Sequence, residues 1–345
     1  ITIVFGIIYY IYSILRLKGP TGANCTKMGL LYKNFPPIKS LKFSNNQDYD
    51  LRDYYIKTAF NACSPGNFKN DFVNTCALES CIKQGARCLD FEIYSIDNQP
   101  VIAVSSVDDF TVKQSFNSIS TADAFNTILN MAFSNTHCPN PDDPLILHFR
   151  MFSKNAPMYD ILAKQISSIL NSKILGVNYS FEFGGRNLGA VPIKNFLGKI
   201  IIIADASNPL YQKTKLDEYI NMTSGSPFMR MLHFQEVKFT QDLMLKSFNK
   251  QNMSIVIPDW SAHDTNPNFN IARQYGCQMI GMSFQNFDGN LEHYNAFFDS
   301  KKTAFVLKPK ELRFIPLTVK VPPPAPPAYS YQARPIKSDY YNYRI

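Results

Sequence analysis

The sequence predicts an α/β fold: a single (β/α)8 barrel of the TIM type, preceded by an N-terminal membrane helix and followed by an extended Pro-rich C-terminal arm. Three observations predict it. Strand-like and helix-like stretches alternate over roughly 260 residues, which means a parallel sheet with crossover connections, and at that length closure into a barrel is favoured over an open sheet. The stretch Gly85-Ala-Arg-Cys-Leu-Asp90-Phe-Glu92-Ile-Tyr94 reads as a buried strand entered from a helix that stops at Gly85. Third, no Gly-rich phosphate loop occurs, which removes support for a nucleotide-binding fold.

The elements follow in order. Ile1 to Leu15 carries no charge and stops at Arg16-Leu17-Lys18, with Gly19-Pro20 as a break. This predicts a transmembrane anchor over 1–18, since a span needs about 20 apolar residues and the flanking cations do not suit a signal-peptide cleavage site. Residues 19–46 read as a linker and 47–317 as the barrel. Tyr54 to Thr58 is a strand; Phe72 to Gln84 is a helix with Val73, Ala77 and Cys81 on one stripe. Side chains alternate along a strand, so on the central one Asp90 and Glu92 share a face while Leu89, Phe91 and Ile93 take the other. A turn at Asp97-Asn98-Gln99-Pro100 leads into Val101 to Val104. Thr121 caps a helix to Phe133, Pro144 to Phe149 is a buried strand, and Met158 to Leu170 is a helix with Ile161, Ile166, Ile169 and Leu170 inward. Lys199 to Ile203 is too apolar to be anything but a central strand. From Asn208 to Ser247 the pattern is poor, broken by a turn at Ser224-Gly225-Ser226-Pro227; strands resume at Ser254–Ile257, Gln278–Met282 and Thr303–Leu307. Residues 318–345 form the arm: Val321-Pro-Pro-Pro-Ala-Pro-Pro-Ala328 predicts polyproline II.

The net charge is +8, but the basic residues are scattered, so no nucleic-acid partner is expected. Seven cysteines contain no C-x-x-C and no zinc spacing, and read as mostly reduced and buried. Sequons at Asn24, Asn178, Asn221 and Asn252 are what chance supplies in an Asn-rich chain. Two inward carboxylates need a metal ion, a basic partner or acid–base chemistry, because an unpaired buried charge is costly.

Leu51-Arg-Asp-Tyr-Tyr-Ile-Lys-Thr-Ala-Phe60-Asn61, then Gly85 to Glu92, then Pro100-Val-Ile-Ala-Val104 resemble the X half of the phosphoinositide-specific phospholipases C. Gly276-Cys-Gln-Met-Ile-Gly-Met-Ser-Phe-Gln285, with Ala304-Phe-Val-Leu-Lys-Pro309 and Arg313, resembles the end of their Y half. The resemblance implies the barrel, and a reaction that cleaves a phosphodiester with two histidines and calcium. Here the histidine positions are Phe60 and Val104, so no catalytic residue is carried over. Of the family's calcium ligands, Asn61, Asp90 and Glu92 match in kind, with the two acids exchanged, and the fourth aligns with Arg150. The phosphate-reading positions align with Ile203, Asp205, Ile255 and Ile257. The resemblance thus implies a degenerate site with no metal and no cofactor, its calcium site lost, and Arg150 paired with Asp90, Glu92 or both. His148, on the face of Arg150, reads as a core histidine before it reads as a replacement base. His263, on the loop that carries Trp260, has no matched partner.

The expected function is that of a catalytically inactive phospholipase C-like barrel: a single-pass, membrane-associated adaptor in a large assembly. Its partners are the lipid bilayer, through residues 1–15, and neighbouring subunits, through Tyr329, Tyr331, Tyr340, Tyr341 and Tyr343 on the arm. A count of 27 Phe and 19 Tyr against one Trp, with many Asn, Lys and Ile, suggests an AT-rich coding genome, and with the lack of a disulfide pattern this suggests a minor capsid protein between the shell and the inner membrane of a large DNA virus. The alternative is a phosphoinositide-specific phosphodiesterase, or a phosphoinositide-binding module.

Overall fold

Strands of this chain are apolar on both faces because both faces are covered. β1 (Tyr54–Ala59) and β5 (Leu145–Met151) are buried along their whole length, and so are β6 (Ile200–Asp205) and β9 (Met253–Ile257). A computed structural model describes residues 4–7, 22–43, 49–109, 112–240, 243–261, 265–316, 323 and 333–345, with Leu243 by its backbone alone. With β2 (Cys88–Ile96), β7 (Met222–Ser224), β8 (Met229–His233) and β10 (Met279–Met282), these strands form a parallel, nearly closed barrel in the order β7-β6-β5-β2-β1-β10-β9-β8. Between β7 and β8 the ring is joined by a hydrogen bond from the Gly225 amide to the Met229 carbonyl (2.8 Å) rather than by a ladder.

Three further strands of this sheet lie off the ring. β3 (Gln99–Ala103) folds back antiparallel on the upper half of β2, and β4 (Ile119–Ser120) pairs with β3. Asp97 and Asn98, at φ 50° and 61°, make the two-residue turn between β2 and β3, the conformation that matches strand twist in a tight hairpin. β11 (Phe305–Leu307) runs antiparallel to β1, so the last predicted strand is not a stave of the barrel.

The helical layer includes α1 (Thr75–Lys83), capped by Asn74, α2 (Thr121–Met131) and α3 (Ala156–Ile169). It continues with α4 (Leu243–Gln251), α5 (Phe269–Gln274) and α6 (Gly289–Lys301). Gly85, at φ 75°, ends α1 in the left-handed position that favours glycine. The cap of α2 is Ser120 rather than Thr121, whose hydroxyl instead donates to the Pro100 carbonyl. On α3 the buried side is Met158, Tyr159, Leu162, Ala163 and Ile166; Ile161 and Ile169 are half-buried, one position off the predicted stripe. Leu89, Phe91 and Ile93 face this layer, and Phe91 and Phe125 both meet Phe149. Each buried ring of this kind is worth about 1.5–3 kcal/mol.

Two further expectations need correction, and one disulfide stands beside the mostly reduced cysteines. The stretch Asn208–Ser247 holds β7, only three residues long, and β8, whose apolar run is interrupted by Arg230 and which is half-buried beyond Met229. The region read as a linker is, over residues 22–43, a strap against the barrel: 22–31 is helical, Met28, Tyr32 and Ile38 are buried, and the Tyr32 hydroxyl donates to the Phe284 carbonyl (2.6 Å). Cys25 and Cys76 form a disulfide between this strap and α1, while the other five cysteines are free and buried.

No described helix is long and apolar enough to cross a membrane. Residues 4–7 are helical with Val4, Phe5 and Ile7 exposed, and the rest of the predicted anchor lies outside the described residues. The chain divides into Ile1–Arg313 and Phe314–Ile345. The second unit holds a hairpin of β12 (Pro335–Lys337) and β13 (Asn342–Arg344), with Tyr340, Tyr341 and Tyr343 exposed; Tyr329 and Tyr331 lie outside the described residues.

Candidate functional site

Register decides what the barrel holds. Thr58 is level with Cys88, Asp90 with His148, Glu92 with Arg150, and His148 with Ile203. Neighbours in register share a face, so Asp90, Glu92, His148 and Arg150 converge inside the barrel near the C-terminal ends of its strands, where barrel enzymes place their chemistry. All four are at most 1% exposed.

Arg150 is the hub. Its Nε donates to Asp90 Oδ1 (3.0 Å) and its Nη2 to Asp90 Oδ2 (2.7 Å), the paired fork that suits guanidinium to carboxylate. Nη2 also donates to Asn61 Oδ1 (2.8 Å), and Nη1 is ion-paired with Glu92 Oε1 (3.1 Å). Asn61 takes a left-handed φ of 44°, which asparagine tolerates better than most residues; its amide Nδ2 donates to Glu92 Oε1 (3.1 Å). Two acceptor contacts complete Glu92 Oε2, from the Tyr94 hydroxyl and the Ser105 amide, both at 2.9 Å.

Burial alone would push the Asp90 carboxyl up. The charge of Arg150 and the hydrogen bonds from His148 and Arg150 outweigh it and hold the group well below the usual carboxylate range. For Glu92 burial wins: despite Arg150, Asn61 and Tyr94, its carboxyl is raised. Arg150 would be lowered by burial, but Asp90 and Glu92 raise it further.

Phe60, which the resemblance aligns with the first histidine, packs against this network, with its ring centroid 4.6 Å from Arg150 Cζ and edge-on to Phe68 (5.5 Å). It fits because β10 offers Gly281, where a Cβ would come within 3.2 Å of Phe60 Cβ. Val104, at the second histidine position, turns into the hydrophobic core, and only its neighbour Ser105 reaches the site, through its backbone. The space lined by Phe60, Phe68, Ser105, Arg150, Ile257 and Trp260 is about 10 Å³, barely enough for one water.

Do these residues fit a calcium ion? Calcium takes six to eight oxygen ligands. Here the side-chain oxygens of Asn61, Asp90 and Glu92 already face the guanidinium at 2.7–3.1 Å, and that cation occupies the space between them. They do not fit. No group of three or more His, Cys, Asp or Glu suited to a metal occurs among the described residues.

His148 Nδ1 donates to Asp90 Oδ1 (2.7 Å), and its Nε2 meets Ser224 Oγ at 2.9 Å. The order Asp, His, Ser is that of a nucleophilic relay, yet all three are sealed at 0% exposure. The relay is a structural chain that fixes the imidazole. Of the phosphate-reading positions, Ile203, Ile255 and Ile257 are buried hydrocarbon, and Asp205 turns to its own Ser207. Trp260 stands edge-on to Phe152 (6.1 Å), 5.8 Å from Arg150 Cζ; His263 lies outside the described residues. Tyr94, two residues past Glu92 on the same face, was readable from alternation alone. Ser224 was not, because its strand carries no pattern.

An α/β barrel with convergent, internally paired polar groups at the C-terminal ends of its strands is the class this fold defines. More particularly, its fold is that of the phospholipase C barrels, and residues 208–311 match the family Phosphatidylinositol-specific phospholipase C, Y domain. Two solved structures are similar. PLC21 of L. pealei gives a TM-score of 0.64 at 16% identity over 78% of this chain and 38% of that one. PLC21 of S. officinalis gives 0.62 at 17%, with the same coverage, so the chain spans 38% of the length of either. A calcium-dependent phosphoinositol-specific phospholipase C from Pseudomonas sp. aligns at a TM-score of 0.47 and 10% identity, over 70% of this chain and 94% of that one. No curated protein matches the chain.

Proposed function

We propose that this chain is a phospholipase C-type barrel without its reaction, serving as a membrane-anchored structural or adaptor component of a large assembly. The observation that carries this reading is the guanidinium of Arg150 among Asn61, Asp90 and Glu92, roofed by Phe60. General acid–base groups are worth about 10²–10⁴-fold in rate, and the two positions that would supply them hold Phe60 and Val104. The apolar run at residues 1–15 supports a bilayer on one side. The exposed tyrosines of the terminal hairpin support protein partners on the other, since a two-stranded hairpin is marginal in water by itself. A minor capsid protein between an inner membrane and a shell fits both ends.

The test is hydrolysis of phosphatidylinositol vesicles by the full chain with calcium. The expected result is no release of inositol phosphate above buffer. Turnover that disappears on Asp90→Asn or Glu92→Gln would overturn the reading.

A further inference from the structure

The fold treats the four sequons unequally. Asn221-Met222-Thr223 enters β7, where Asn221 is 4% exposed. Its Oδ1 accepts from the Ile202 amide (2.8 Å) and its Nδ2 donates to the Tyr179 carbonyl (2.9 Å). Ile203 is level with Met222 immediately beyond, so a sugar on Nδ2 would displace the β6–β7 pairing. Asn24 donates Nδ2 to both carboxylate oxygens of Asp71 (3.2 and 3.3 Å) and precedes the disulfide residue Cys25. Asn252 is half-buried, its Oδ1 accepting from Asn187; Asn178 is exposed. N-glycosylation acts on the emerging chain, before burial protects anything, so a chain passing through a glycosylating lumen would carry sugar at positions the fold cannot accommodate.

The disulfide points the other way. Oxidised pairs and N-glycans ordinarily belong to the same compartments. Cys25 and Cys76 are half-exposed and bonded to each other, whereas Cys63, Cys81, Cys88, Cys138 and Cys277 are buried. Burial pushes the Cys81 and Cys277 thiols up to about 12 and the others upward too, which keeps them out of exchange chemistry.

We infer that the barrel folds in a compartment where N-glycosylation does not act, and that the Cys25–Cys76 bond forms there by exchange with a disulfide donor outside the chain. In that step one thiolate attacks the donor disulfide, the second resolves the mixed disulfide, and two electrons and two protons leave with the donor as a dithiol. The inference concerns maturation and holds whether or not the barrel turns over lipid.

The test expresses the full chain in eukaryotic cells. It reads glycosidase-sensitive mobility, and alkylation of free thiols by mass spectrometry. No glycan, a Cys25–Cys76 disulfide and five alkylatable thiols after denaturation are expected. A glycan on Asn24 or Asn221 of the folded protein, or Cys25 and Cys76 both recovered as free thiols, overturns the inference. A second arm directs the same chain into the lumen with an added signal peptide. There the protease-resistant yield is expected to fall at least tenfold, and Thr26→Ala/Thr223→Ala, which removes both sequons while keeping the asparagines and their hydrogen bonds, restores it. Equal yields from the two lumenal forms overturn it as well.

Discussion

At the scale of single residues the barrel interior is a charge problem solved within the chain. Asp90 and Glu92 repel each other on one strand face, and Arg150 sits between them. Removing one partner of such a group is far costlier than the group's net contribution, because it leaves buried charge uncompensated. Arg150→Ala is expected to lower the unfolding free energy by about 3–5 kcal/mol in a urea titration. Arg150→Lys, a point charge without the fork, should recover only part of that loss. Lys57 is the opposite case: its Nζ is fully buried with no hydrogen-bond partner, and burial lowers its amine to about 8. Lys57→Met should therefore raise stability at pH 7 by about 2–3 kcal/mol, seen as a higher denaturation midpoint. Much of this was readable from the chain. Alternation put the two acids on one face, and the resemblance put Arg150 beside them. That the Ser105 amide would complete the shell needed the hairpin geometry, which folds β3 back beside Glu92.

At the scale of elements, the strap and the missed strands show where sequence reading ends. A three-residue strand such as β7 has no period to detect, and its place is fixed by the β6 ladder, a contact between residues nearly twenty positions apart. The strap is similar: Met28, Tyr32 and Ile38 look like scattered apolar residues until the barrel wall they cover is known. Its anchor is the Cys25–Cys76 bond, which closes a separation of 51 residues that includes β1. On the chain-entropy account a loop of that size is worth about 4 kcal/mol. Cys76→Ser, or reduction of the folded protein, should thus lower the melting temperature by several degrees. Protease cleavage should then move into residues 22–43, ahead of any cut in the barrel strands.

For the whole molecule, pH dependence is a contest between buried amines and buried thiols. Lys57 at about 8 and Lys308 at about 7 both bind protons more weakly when folded than when unfolded. Where the unfolded chain holds more protons, stability rises with pH, so these two give a rise from about pH 7 towards their ordinary value of 10.5. Five free cysteines are shifted upward by burial, so above their ordinary value of 9.0 the unfolded chain loses protons that the folded one keeps, and stability falls. Five groups outnumber two, which places the maximum near pH 8–9. Thermal melts from pH 6 to 10.5 should show that maximum, with Lys57→Met flattening its low-pH side. A maximum at pH 6 would contradict the burial of these amines.

A cation borne on a side chain has no dissociation constant. The positive charge at the centre of this barrel is delivered at a fixed ratio of one per chain, from the moment of synthesis, and neither chelators nor dilution can withdraw it. The charge that holds these carboxylates together is therefore set by the sequence alone, and its contribution to the fold is independent of the calcium concentration around it.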